Sequence, residues 1–96
     1  MGRLAEKVAV ITGAASGIGA ACALRFGAEG ARIAALDVAE PAAAHRDAVE
    51  KAAPGALWGR VDVRDEASIE RGVAAALARF GRIDLLVTAA GVSGFG

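Results

Sequence analysis

The sequence predicts a doubly wound α/β fold, a parallel sheet covered by helices on both faces and truncated after four strands. Three observations predict it. Short β-branched apolar runs alternate with longer stretches of helical spacing in the order β-α-β-α-β-α-β, glycine or proline marks most boundaries, and the first run, residues 7–12 (KVAVIT), is apolar on both faces. Strands that alternate with helices imply right-handed crossovers and parallel pairing. The 96 residues are read as one domain, 1–96, without a linker or a low-complexity tract beyond a general richness in alanine, and a chain of this size buries roughly 65% of the surface it exposes when unfolded.

The elements follow in order. Residues 7–12 form the first strand, buried inside the sheet. From 17 to 29, Ile18, Cys22 and Phe26 recur at i, i+4 and i+8 as the inward stripe of a helix, and Gly30 stands where that helix stops. Residues 31–37 (ARIAALD) make the second strand. Pro41 is tolerated in a first helical turn, so PAAAHRDAVEKAA runs as a polar-faced helix to Pro54. His45 reads as a solvated residue in the middle of it. The third strand lies in ALWGRVDV and ends near Val61, weakened by Gly59, with Trp58 packing in the core or at the sheet edge. Asp65 caps a helix whose stripe is Ile69, Val73, Leu77 and Phe80, terminated by Gly81. Residues 83–88 (IDLLVT) are the fourth strand, and its outer edge is expected to be bare, an apolar template for association.

Composition narrows the function. Eleven basic residues balance eleven acidic ones, so no charge footprint points to nucleic acid or an anionic membrane. Cys22 is the single cysteine and cannot close an intramolecular disulfide, and no Cys/His cluster offers a metal site; a reducing, cytoplasmic location fits. Residues 8–24 carry no charge, but the run is short for a membrane span and is diluted by glycine, Thr12 and Ser16. Glu6 stands where a myristoylation signal requires Ser or Thr.

The chemistry concentrates in residues 12–19, TGAASGIG, which place Gly13, Gly17 and Gly19 between the first strand and the first helix. In a doubly wound sheet, ligands bind beyond the carboxyl ends of the strands, where this turn lies. Glycine lets the backbone approach a phosphate, and the free N–H groups and positive dipole end of the following helix favour an anion. A dinucleotide pyrophosphate fits; a tight turn without a ligand is the alternative. No Gly-Lys-Ser/Thr follows, so a P-loop does not. Asp37 ends the second strand 18 residues after Gly19, near the offset of about 20 residues at which an acid meets a ribose hydroxyl. Its alternative is an exposed loop aspartate.

With its G-x-x-x-G-x-G spacing and preceding Thr12, the loop resembles the cofactor loop of the short-chain dehydrogenases/reductases, and the resemblance runs along the whole chain. It implies a partial NAD(P)-binding Rossmann-like domain in which Gly13, Ser16, Gly17, Ile18 and Gly19 cradle the pyrophosphate. Asp37 then accepts from the ribose and repels a 2′-phosphate, which implies NAD rather than NADP. Asp62 and Val63, in VDV after the third strand, match the position that contacts adenine, although Asp62 could equally cap a turn. Ala89, Ala90 and Gly91, within TAAG at 88–91, occupy the place of the family's NNAG and would offer backbone contacts to the cofactor. Thr88 and Ala89 replace both asparagines, and a plain strand-ending turn is the other reading.

The resemblance implies hydride transfer between NAD and a small alcohol or carbonyl in an intact, homo-oligomeric parent. That chemistry uses a tyrosine acid/base with a lysine four residues on and a substrate-holding serine, all beyond the fourth strand. This sequence contains no tyrosine, its lysines are Lys7 and Lys51, and Ser93 is not at the matching place, so no catalytic residue is assigned. The chain is therefore expected to be the cofactor-binding N-terminal fragment of such an enzyme. A non-catalytic nucleotide-binding module and an inactive structural remnant are the alternatives.

Overall fold

The computed structural model describes residues 4–15 and 17–88, and the backbone of Gly91–Gly94. The elements are β1 (Val8–Thr12), α1 (Gly17–Ala28), β2 (Arg32–Asp37), α2 (Ala43–Ala52), β3 (Leu57–Arg60), α3 (Glu66–Phe80), β4 (Leu85–Thr88) and β5 (Gly91–Gly94). The sheet order is β3-β2-β1-β4-β5. The first four of these strands pair in parallel, with Val10 opposite Ala34 on one side and Leu86 on the other, and Ala35 opposite Trp58. This is the doubly wound, Rossmann-like arrangement that the alternating pattern predicts.

Every residue of β1 is buried because both of its faces carry a helical layer. The two-residue period of the strand divides the core. Ala9 and Ile11 meet Ala23, Ile33, Val49, Ala53 and Val87 on the side of α1 and α2, while Val10 meets Ala34, Leu36, Val61, Ala76 and Ile83 on the side of α3. Burying an aliphatic side chain of this kind contributes about 1.5–3 kcal/mol, so Ile11, Ile33 and Leu36 are among the chief anchors.

Helix ends obey the sequence. Gly30 takes φ +95° past the end of α1, where Gly30 N–H donates to Gly27 O at 3.0 Å and Ala31 N–H to Phe26 O at 3.0 Å, the paired bonds of a Schellman stop. Asp65 accepts from the Ala67 N–H at 3.1 Å at the start of α3, and Gly81 closes that helix at φ +81°. Helix α2 begins at Ala43, two residues after Pro41, because Ala42 is extended (ψ 143°) and no side chain caps the turn.

Three expectations are corrected. Cys22 and Phe26 of the expected α1 stripe pack partly buried against the core, but Ile18 does not turn inward: it is 76% exposed, and the fully buried residues are Ala23 and Gly27. A Cβ on Gly27 would lie 3.1 Å from Ala53 Cβ and 3.2 Å from Ala52 Cβ, so α1 and α2 approach through small residues. Likewise α3 buries Ser68, Gly72 and Ala76 and leaves Leu77 45% exposed, with Ile69, Val73 and Phe80 at the flanks. The sheet already supplies the bulk, as a Cβ on Gly72 would meet Val61 Cγ2 at 2.7 Å and Leu36 Cδ1 at 3.0 Å. Finally, the outer edge of β4 is not bare. β5 folds back antiparallel upon it, from Thr88 opposite Gly91 to Leu85 opposite Gly94, because unpaired backbone groups accept any extended segment within reach. Among the described residues no helix is long and apolar enough to cross a membrane; residues 8–24 divide into β1, a turn and α1.

Candidate functional site

The carboxyl ends of the parallel strands bring the predicted loop, Asp37, Asp62 and Val63 to one edge of the sheet. Thr12 ends β1 with its hydroxyl donating to the Val87 carbonyl of β4 at 3.3 Å, which anchors the start of the loop. Gly13 (φ +69°) and Gly17 (φ +62°) both adopt the left-handed region, and a Cβ at either would meet nothing within 4 Å. These two glycines therefore face open space. Gly19 differs. Its Cβ would lie on the Gly13 carbonyl oxygen and 2.6 Å from the Gly13 carbonyl carbon, so a glycine is needed there for α1 to pack on its own entry loop.

Side chains and backbone of β2 and α2 hold the loop. Ala14 N–H donates to Leu36 O at 3.2 Å, and Ala15 N–H donates to Asp37 Oδ2 at 2.9 Å. The other carboxylate oxygen of Asp37 accepts from Ala39 N–H at 3.0 Å. Asp37 is half-buried and fixed across the loop rather than swinging free, and each of its oxygens keeps a lone pair for a further donor. His45 was expected to be solvated and mid-helix, and both expectations fail. It lies half-buried in the first turn of α2 with Nε2 2.9 Å from the Ala14 carbonyl oxygen. The signal was present in the sequence: four-residue steps from His45 lead to the buried Val49 and Ala53.

The turn after β3 shows Asp62 as a capping residue. Its Oδ1 accepts from the backbone N–H of Arg64 at 2.9 Å and from Arg64 Nε at 3.2 Å, while Arg64 Nη2 donates to Oδ2 at 3.3 Å. The Arg64 side chain first, then its backbone N–H, holds the Asp62 carboxyl below its ordinary range. The Asp62 N–H donates to Ser68 Oγ at 3.0 Å, seating the turn on α3. Val63 is 57% exposed, and Val38, just past Asp37 on the neighbouring strand, is 55% exposed. Sequence reasoning missed Val38 and Arg64.

Beside Asp37 lies a cleft of about 140 Å³ whose lining includes Ala14, Ala15, Glu40, Arg46, Trp58 and Arg60. Trp58 packs against the α1 and α2 side of the core, as expected for this edge strand. The Arg46 guanidinium stands 5.2 Å from its ring centroid and His45 meets it edge-on at 6.2 Å. Among the described residues, Trp58 Nε1 is buried without a hydrogen-bond partner, and no group of three or more His, Cys, Asp or Glu could hold a metal. Ser16, Ala89 and Ala90 lie outside the described residues, and Gly91 is described only as the backbone partner of Thr88 in β5.

A profile of the short chain dehydrogenase family matches residues 7–96, and the chain belongs to that family. Its members are oxidoreductases that use nicotinamide dinucleotides. The chain is 48% identical over 93% of its length to cis-4-hydroxycyclohexanecarboxylate dehydrogenase of Sinomonas cyclohexanicum, of which the match covers 36%. The crystal structure of levodione reductase aligns with a TM-score of 0.78 at 44% identity, covering 88% of this chain and 34% of that one. Carveol dehydrogenase from Mycobacterium avium, solved in complex with NAD, aligns at a TM-score of 0.78 and 34% identity, covering 100% of this chain and 39% of that one. The chain thus spans little more than a third of the relatives it matches.

Proposed function

We propose that this chain is the dinucleotide-binding part of an NAD-dependent short-chain dehydrogenase whose intact form acts on a small alcohol or carbonyl. The observation that carries the reading is the open-faced turn at Gly13 and Gly17, with Asp37 bonded across it through Ala15 N–H. A Cβ would fill the space these glycines leave, so a phosphate can approach the backbone at Gly13 and Gly17 at the dipole end of α1, and the family resemblance extends the cradle to Ser16, Ile18 and Gly19. Asp37 is at the strand end where a ribose diol would donate to it, and its charge disfavours a 2′-phosphate. The exposed side chains of Val38 and Val63 suit the two faces of adenine, with Asp62 at its edge, and the family resemblance assigns Ala89, Ala90 and Gly91 backbone contacts to the cofactor. The exposure of Ile18 supports the same reading, since an apolar side chain at the mouth of the loop gains by being covered.

When bound, NAD supplies the hydride acceptor. The 96 residues hold no tyrosine, so the Tyr-x-x-x-Lys pair of the family's chemistry is not among them, and alone they bind without turnover. A reducing, cytoplasmic setting and homo-oligomeric assembly of the intact enzyme complete the proposal. Calorimetric titration with NAD and NADP tests it. NAD is expected to bind more tightly, and Asp37→Arg to move the preference toward NADP, because a guanidinium pairs with the phosphate that a carboxylate repels. Failure of both cofactors to bind folded protein would reject the site; equal affinities before and after substitution would reject Asp37 as the discriminator.

A further inference from the structure

We propose that His45 is a positioning residue of the glycine loop, which together with Asp37 clamps a single peptide plane from both ends. The inference rests on the dinucleotide reading of that loop. The Ala14 carbonyl and the Ala15 N–H belong to the same planar peptide unit and point in opposite directions. The carbonyl faces His45 Nε2 at 2.9 Å, and the N–H donates to Asp37 Oδ2 at 2.9 Å. A carbonyl oxygen only accepts, so Nε2 carries the proton and His45 is held in one tautomer.

Two side chains from different elements thus fix the rotation of the plane between Ala14 and Ala15. This plane turns about Ala14 ψ and Ala15 φ, and the chain can compensate for such a turn one residue upstream, where Gly13 has no Cβ and open space surrounds the position. Ala14 is 1% exposed, so a carbonyl that loses the His45 donor is poorly placed for water and re-pairs by moving the plane. Moving it also withdraws the Ala15 N–H from Asp37. His45 therefore orients the proposed ribose-binding carboxylate through the loop, without touching a ligand. The His45 ring is set in turn by Trp58, edge-on at 6.2 Å and 86°, and Trp58 is covered by the Arg46 guanidinium.

The test compares His45→Leu, which keeps volume but loses the donor, with His45→Gln, whose amide nitrogen can reach the place of Nε2. ADP-ribose affinity, thermal midpoint and amide exchange of Ala15 are measured on the full 96-residue chain. Loss of a buried hydrogen bond of this kind is expected to weaken ADP-ribose binding about tenfold in His45→Leu, to speed exchange at Ala15, and to be largely restored in His45→Gln. Wild-type binding in folded His45→Leu, with Ala15 exchange unchanged, would overturn the proposal. Equal impairment of both variants would also overturn it, since packing on Trp58 rather than the donor would then be the cause. If His45→Leu does not fold, nitrogen NMR of the wild-type imidazole decides: the Nε2–H tautomer supports the clamp and the Nδ1–H tautomer refutes it. Absence of ADP-ribose binding in the wild type would instead sink the dinucleotide reading on which the proposal stands.

Discussion

Replacing Gly17 by alanine separates what the glycine loop needs in order to fold from what it needs in order to bind. At φ +62° an alanine suffers the left-handed penalty, roughly 1–2 kcal/mol, partly offset by the reduced freedom of the unfolded chain, about 0.4–1 kcal/mol. No steric cost adds to this, because a Cβ there meets nothing within 4 Å. The net loss is about 1 kcal/mol, which lowers the thermal midpoint of a domain this size by about 4–8 °C. Binding is expected to suffer more. The new methyl occupies the space through which a phosphate would approach, and loss of that approach weakens ADP-ribose at least about tenfold, or roughly 1.4 kcal/mol. Gly19→Ala is the contrasting control. Its Cβ collides with backbone atoms of Gly13 that cannot swing aside, so overpacking of about 1–3 kcal/mol outweighs the roughly 0.5–1 kcal/mol that alanine gains over glycine inside a helix. Urea denaturation and calorimetry on both variants provide the two axes. Unchanged ADP-ribose affinity in folded Gly17→Ala would refute the cradle, and an unchanged thermal midpoint would refute the conformational argument.

Gly72→Leu should destabilise the chain by about 1–3 kcal/mol in urea, because its side chain meets Val61 and Leu36, while Leu77→Lys should stay within about 0.5 kcal/mol; the reverse order would mean α3 is seated on the larger stripe after all. The carboxyl of Asp84 is held low by the Arg82 side chain first and then by the Val8 N–H, which donates to it at 2.8 Å. Its contribution to stability is therefore present above the ordinary carboxylate value and lost as pH falls through the lower folded value. Wild-type denaturation midpoints should drop more steeply below about pH 4 than those of Asp84→Asn, and parallel acid limbs would count against that role. Purified chain with NAD and a panel of alcohols should form no NADH by absorbance, since a positioned acid/base contributes about 10²- to 10⁴-fold to such a step; turnover that survives repurification and disappears in Gly17→Ala would overturn the binding-only reading.

The legible parts of the fold were those decided locally. An uninterrupted apolar run marked β1 as a strand with both faces covered, Gly30 and Gly81 marked helix stops that do adopt positive φ, and Asp65 caps the helix it precedes. The glycine spacing singled out the loop, and the offset to Asp37 picked the acid that bonds across it. Helix faces were less legible. The expected stripes of α1 and α3 held for Cys22, Phe26, Ile69, Val73 and Phe80, which pack partly buried against the core, but not for Ile18 and Leu77, and the fully buried Ala23, Gly27, Gly72 and Ala76 were not picked out.

The sequence by itself determined the succession of strands and helices, their punctuation, and the chemistry gathered at the end of β1 and β2, because these depend on residues adjacent in the chain. Tertiary structure alone decided how far apart the layers sit. With Val10, Ile11, Ile33 and Leu36 filling the space from the sheet, small residues occupy the closest approaches of α1 and α3, larger ones such as Phe26, Ile69 and Phe80 pack beside them, and Ile18 and Leu77 turn outward. It also decided the partners of groups far apart in sequence, such as Thr12 on the Val87 carbonyl 75 residues away and His45 on the Ala14 carbonyl 31 residues away. Such pairings depend on which elements stack, and neither propensity nor local spacing carries that information.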